Sequence, residues 1–218
     1  MSIRPAPFLE NEFYHIYNRG NSRQDIFLDE EDYARFVGLL YACNSIKKFH
    51  SNNLGITSKD SFFKVERVDE LVAIGAYVLM PNHFHILMTP LVPEGISVFM
   101  QKLSTAYVMY FNRKYSRVGS LFEGKFRSTY VSEDRYLKYL FSYIHLNPMK
   151  LLDSDWKQKF SDKKLFEYIK SYQYSSYLDF TGMHRLETKI LSRLYFPIYF
   201  KSKKDYADEI LSWFRSNA

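Results

Sequence analysis

Cysteine occurs once in this 218-residue chain, at Cys43. No disulfide within the chain is possible, and no Cys-based zinc cluster. A reducing cytoplasm is the simple expectation. Long apolar runs are missing as well. The opening MSIRPAPFLENEF holds no hydrophobic stretch of signal-peptide length. No segment approaches the roughly 18–20 apolar residues of a membrane helix. There is no internal repeat and no low-complexity linker. With 46% hydrophobic and 25% charged residues, the composition is that of a folded protein, not a disordered tail.

Positive charge and aromatic rings are abundant. The net charge of +6 favours polyanionic partners, nucleic acid first and acidic membrane surfaces second. Charge alone leaves an inert basic surface open. Aromatic residues make up 18%, including 19 Tyr and 19 Phe. Some of these are core, and a surplus of Tyr suits stacking on bases. The length fits one domain with an elaborated end. A compositional change near 150–160 divides the chain into an expected catalytic domain, 1–150, and a basic, aromatic extension, 151–218, packed on or beside it.

Residues 12–18, EFYHIYN, read as a strand that Arg19-Gly20-Asn21 breaks. A helical stretch starts at Asp29 and runs through DEEDYARFVGLLYACNSIKKF, with acids in its first turn and lysines in its last. Residues 50–63 read as a polar loop. Two strands, 65–80 and 83–89, flank a Met80-Pro81-Asn82 turn. Alternation sends His83, His85 and Leu87 to one face and Phe84, Ile86 and Met88 to the other. Helical spacing covers 95–115, a basic turn covers 117–125, and 126–131 reads as a strand. Ser132 is the expected N-cap of a helix from Glu133 that stops at Pro148. The order strand, helix, paired strands, helix, strand, helix predicts an α+β fold on an antiparallel sheet, with a helical C-terminal extension.

His83 and His85, two apart on a strand, present both imidazoles on one face, where they are able to grip a divalent ion. For an isolated His-x-His, a metal-free pair is as good a reading. Tyr143 and Asn147, four apart on a helix, also share a face. Asn147 suits ligation, and Tyr143 suits attack on a phosphate. Free phenols ionise near pH ~10, so such a nucleophile needs its phenolate stabilised. Spacing alone leaves Tyr139, on the same face, as a competitor.

MPNHFHIL resembles the histidine-hydrophobe-histidine motif of single-strand nucleases and transposases. YHIYNRGNSRQDIF, YFNRKYSRVGSLFEGKFRSTYVSEDRYLKYLFSYIHLNP and YSSYLDFTG are similar to further blocks of the REP-associated tyrosine transposases and their IS200-like relatives. The four blocks stand in family order across residues 12–182. The resemblance implies a ferredoxin-like sheet, metal-binding His83 and His85, nucleophilic Tyr143, and Asn147 as third ligand to Mg²⁺ or Mn²⁺. It implies cleavage and rejoining of single-stranded DNA beside an imperfect hairpin through a 5′-phosphotyrosine link. Arg19, Arg113, Lys114, Arg117, Lys125 and Arg127 are the expected phosphate contacts. Asn112 is a candidate base reader or helix cap. Tyr115 and Phe122 are candidate stacking rings, with core packing favoured for Phe122. A cytoplasmic, nucleoid-associated bacterial protein is expected, monomeric or homodimeric, without a membrane partner. The alternative is a domesticated nucleic-acid-binding module without cleavage. A third reading is a replication-initiator or relaxase nuclease.

Overall fold

The computed structural model describes residues 7–47 and 58–216. Its strands are β1 (Phe13–Arg19), β2 (Val72–Met80), β3 (His83–Pro90) and β4 (Arg127–Val131). Its helices are α1 (Glu30–Ala42), α2 (Lys59–Phe62), α3 (Gly95–Lys114), α4 (Asp134–Leu146), α5 (Trp156–Lys159), α6 (Asp162–Ser171), α7 (Tyr177–Phe180) and α8 (Lys203–Arg215). The strands form one sheet in the order β2-β3-β1-β4, with every neighbouring pair antiparallel. Two crossovers through α1 and α3 produce this order, the ferredoxin-like β-α-β-β-α-β arrangement.

Both faces of the sheet are covered. Ile16, Phe84, Ile86 and Met88 pack with Phe36, Leu40, Leu103 and Tyr107 of α1 and α3. Leu87, Val78 and Val131 pack on the other side with Leu140, Phe141 and Ile144 of α4. β2 serves both cores by alternation and changes phase once along its length. A bulge between Ile74 and Ala76 shifts its register. Val72 and Ile74 thus share a face with Tyr77 and Leu79, while Ala73 joins Ala76 and Val78 opposite. Gly75 sits at the bulge, where an added Cβ would meet the Phe196 ring at 2.8 Å.

The C-terminal segment completes the second core. Tyr206, Ile210 and Phe214 of α8 join the α4 cluster. Full burial of each such side chain is worth roughly 1.5–3 kcal/mol. Ser202 and Asp205 form a capping box that starts α8. Among the described residues, no helix is long and apolar enough to cross a membrane.

Several expected boundaries move, each for a local reason. Asp29 caps α1 as expected, accepting from the Asp32 N–H. The helix then ends at Ala42, short of Lys47. Asn44 commits its side chain to β2, donating to the Val72 carbonyl and accepting from the Leu71 and Val72 amides. The expected loop 50–63 contains helix α2, and its residues 50–57 lie outside the described residues. β2 begins at Val72, not near 65. The N-cap of α4 is Glu133, without a side-chain cap bond, so Ser132 does not cap it. Asn147, before Pro148, keeps helical angles (φ −53°, ψ −39°). Pro148 opens a 3-10 turn, Asn147–Leu151, where a missing N–H costs little.

Candidate active site

Directly opposed residues of an antiparallel pair share a face. The register sets Arg19 opposite His83 and Tyr17 opposite His85. On the other side of β1, Arg127 of β4 lies opposite Tyr17. One end of one sheet face thus gathers two histidines, a tyrosine and two arginines. They line a cleft of about 400 Å³ together with Arg23, Asn82 and Glu123.

Each histidine has one ring nitrogen engaged. Nδ1 of His83 lies 2.6 Å from Oδ1 of Asn82. Nδ1 of His85 lies 2.8 Å from Nε2 of His15, a third histidine buried beneath it. A proton on each Nδ1 leaves both Nε2 lone pairs for a ligand, and an outer partner of this kind orients metal-ligating imidazoles. Burial holds both rings neutral. It lowers His83 to about 4, aided by Lys150 and Arg19. It pushes His85 well below the usual histidine range, aided by His15, His83 and Lys150. Neutral imidazoles with an open nitrogen fit a divalent ion. Among the described residues, no three His, Cys, Asp or Glu side chains form a metal-holding group. A site here therefore rests on the two histidines and an amide.

Tyr143 meets them from α4. Its ring stands edge-on to His85, centroids 5.6 Å apart, and 5.8 Å from His15. The rotation of α4 is set two residues on. His145 is fully buried, hydrogen-bonded through Nδ1 to the Tyr206 hydroxyl and through Nε2 to Ser176 Oγ at 2.6 Å. Ser176 Oγ in turn accepts from the Tyr77 amide of β2 at 2.8 Å. That chain ties α4 to the sheet and holds Tyr143 above the histidines. Tyr139, the competing tyrosine, lies 5.7 Å from Tyr143 and packs against Trp213 at 4.3 Å.

Asn147 is buried, and its amide is already engaged. Nδ2 donates to the Tyr143 carbonyl at 3.2 Å. Oδ1 accepts from Lys150 Nζ, also at 3.2 Å. The same ammonium lies 5.1 Å from the centre of the Tyr143 ring. Lys150 thus takes one of the two lone pairs of Asn147 Oδ1.

The expected phosphate contacts divide. Arg19 and Arg127 line the histidine cleft, and Arg19 pairs with Glu123 at 2.9 Å. Arg113 and Lys125 are exposed. The Lys114 ammonium lies within 3.1 Å of Asp29, Glu31 and Asp32. The Tyr115 hydroxyl hydrogen-bonds to Asp29 and Asp32, and its ring rests on Phe111. Arg117 lies over Phe111 and donates to Gln24. Asn112 donates to the Gly119 carbonyl at 3.0 Å, which holds the basic turn in place. Phe122 is core. Sequence reasoning missed His15, Tyr17 and Arg23. The strand alternation of β1 carried a signal for the first two, since both share the Arg19 face; nothing local marked Arg23.

The site thus combines paired histidines on a central strand of a ferredoxin-like sheet, a tyrosine on the covering helix and an arginine-lined cleft. Residues 47–147 match the family model "Transposase IS200 like". The fold of the chain is similar to that of a REP-associated tyrosine transposase solved bound to a REP hairpin, with a TM-score of 0.51 and 12% identity, covering 86% of this chain and 90% of that one. That likeness speaks for the fold. Among curated proteins, none matches the chain in sequence.

Proposed function

We propose that the protein cleaves and rejoins single-stranded DNA beside a hairpin, with Tyr143 as nucleophile and His83 and His85 as ligands of Mg²⁺ or Mn²⁺. The observation that carries this reading is the stacking order in the site. Tyr143 lies edge-on to His85, and the outer nitrogens of both histidines remain open. Bound there, the ion supplies Lewis-acid polarisation of the scissile phosphate. The Tyr143 oxygen attacks phosphorus, the bond to the 3′ oxygen breaks, and a 5′-phosphotyrosine and a free 3′-hydroxyl result. Attack by a 3′-hydroxyl on that link reverses the step, so rejoining needs no nucleotide triphosphate. Arg19 and Arg127 hold the flanking phosphates, and Lys150 supplies positive charge beside the developing phenolate.

The test is covalent capture. Hairpin DNA with a labelled single-stranded flank, incubated with Mn²⁺, should yield a denaturation-resistant protein adduct. Tyr143→Phe should abolish the adduct and preserve binding. An adduct that survives Tyr143→Phe and is lost in Tyr139→Phe moves the nucleophile one turn back. Binding without any adduct in the wild type favours a module that has lost cleavage.

A further inference from the structure

Tyr143 is also a wall of a second cavity, of about 390 Å³, to which α8 contributes Trp213. Tyr139, Asn147, Lys150, Lys157 and Trp213 line it as well. Three half-buried rings run in contact through it, Tyr143 to Tyr139 at 5.7 Å and Tyr139 to Trp213 at 4.3 Å. Trp213 is braced: its indole N–H donates to Glu209 at 2.8 Å, and Glu209 pairs with Lys138 at 2.6 Å. The cavity also carries two ammonium groups, Lys150 and Lys157. Lys157 is held below its usual range by burial and by Lys150. Asp155 shares the rim, but its carboxylate faces Lys159 at 3.6 Å. Like charges held beside a platform of rings leave room for an anion with a flat face. A nucleotide has both.

We propose that this cavity is a subsite for an unpaired nucleotide of the cleaved strand, its base stacked on Trp213 and Tyr139 and its phosphate held by Lys150 and Lys157. The inference rests on Tyr143 being the attacking residue, because the shared wall places the bound base next to the reacting phosphate. It assigns to α8, in the C-terminal extension, a share in substrate recognition. It also links the subsite to Asn147. A phosphate that draws Lys150 away releases the lone pair of Asn147 Oδ1 that Lys150 otherwise takes.

The experiment uses the full chain with Tyr143→Phe, so that binding is read without covalent capture. Two probes are compared: a hairpin alone, and the same hairpin with an unpaired flank in which 2-aminopurine is walked position by position. The expected result is quenching at one flank position. Trp213→Ala should weaken binding of the flanked hairpin about tenfold or more and leave the bare hairpin unchanged. Trp213→Phe should recover most of the loss, and Lys157→Gln should weaken only the flanked probe, more so at low salt. Equal losses on both probes, or no quenched position, overturn the subsite. If Trp213→Ala melts early by circular dichroism, the quenching pattern and Lys157→Gln decide alone. Flank-dependent binding with no adduct from the wild type would sink the cleavage reading, and with it the placement of the base beside a reacting phosphate, while a quenched position lost in Trp213→Ala would still establish nucleotide binding in the cavity.

Discussion

Nε2 of His15 and Nδ1 of His85 lie 2.8 Å apart, both rings buried in the sheet. When His85 Nδ1 donates to His15 Nε2, the lone pair of His85 stays on its outer Nε2. His15→Ala should therefore lower Mn²⁺ affinity by about 10–100-fold, the usual cost of losing an outer partner of a ligating histidine. His15→Gln, which still offers an acceptor, should recover part of it. A calorimetric Mn²⁺ titration measures both. An unchanged affinity in His15→Ala would remove His15 from the site.

His145 sets a pH dependence of stability. Burial, with Arg193 and Arg185 nearby, keeps its pKa well below the usual 6.5. The unfolded chain binds a proton there near pH ~6.5 and the folded chain does not. Stability is thus full above that pH and falls as pH drops below it. His15 and His83, both lowered to about 4, act in the same direction. Urea midpoints should decline steadily from neutral pH toward pH ~4. His145→Asn should be less stable at neutral pH yet show a shallower decline. A decline as steep as that of the wild type would contradict the assignment.

Period-two alternation made the two faces of β3 readable, because it depends only on neighbours in sequence. The same holds for the shared face of Tyr143 and Asn147. Long-range partners were not readable. Lys114 looked like a free cation because Asp29, Glu31 and Asp32 lie on another helix. His15 looked like an ordinary strand residue until the β1–β3 register set its neighbour Tyr17 against His85. The end of α1 was misplaced because Asn44 bonds to β2, a tertiary choice that local helix signals do not carry. The resemblance located the blocks of the site, while the engaged amide of Asn147 and the ring platform at Trp213 needed coordinates.

Gly75 offers a test of the two-faced sheet. The bulge there shifts which residues of β2 face each core, and a Cβ would come 2.8 Å from the Phe196 ring. Gly75→Val should cost about 1–3 kcal/mol through overpacking. Denaturant unfolding reads this directly. The Trp213 cavity lies on other elements, so flank-dependent DNA binding should persist wherever the variant remains folded.

The division among the basic residues predicts two opposite phenotypes. Arg127 is exposed and lines the histidine cleft. Arg127→Gln should weaken hairpin binding and reduce the slope of log affinity against log salt by about one, with little effect on folding. Lys114 faces three carboxylates, one of them, Asp32, completely buried. Lys114→Gln leaves that carboxylate short of its cation and should lower stability by about 1–3 kcal/mol. Its salt slope should match the wild type, because three carboxylates already hold its charge. Filter-binding across a salt series, paired with thermal melts, separates the two. A salt slope that falls in Lys114→Gln would show that its carboxylate partners release it to DNA, and would keep it among the phosphate contacts.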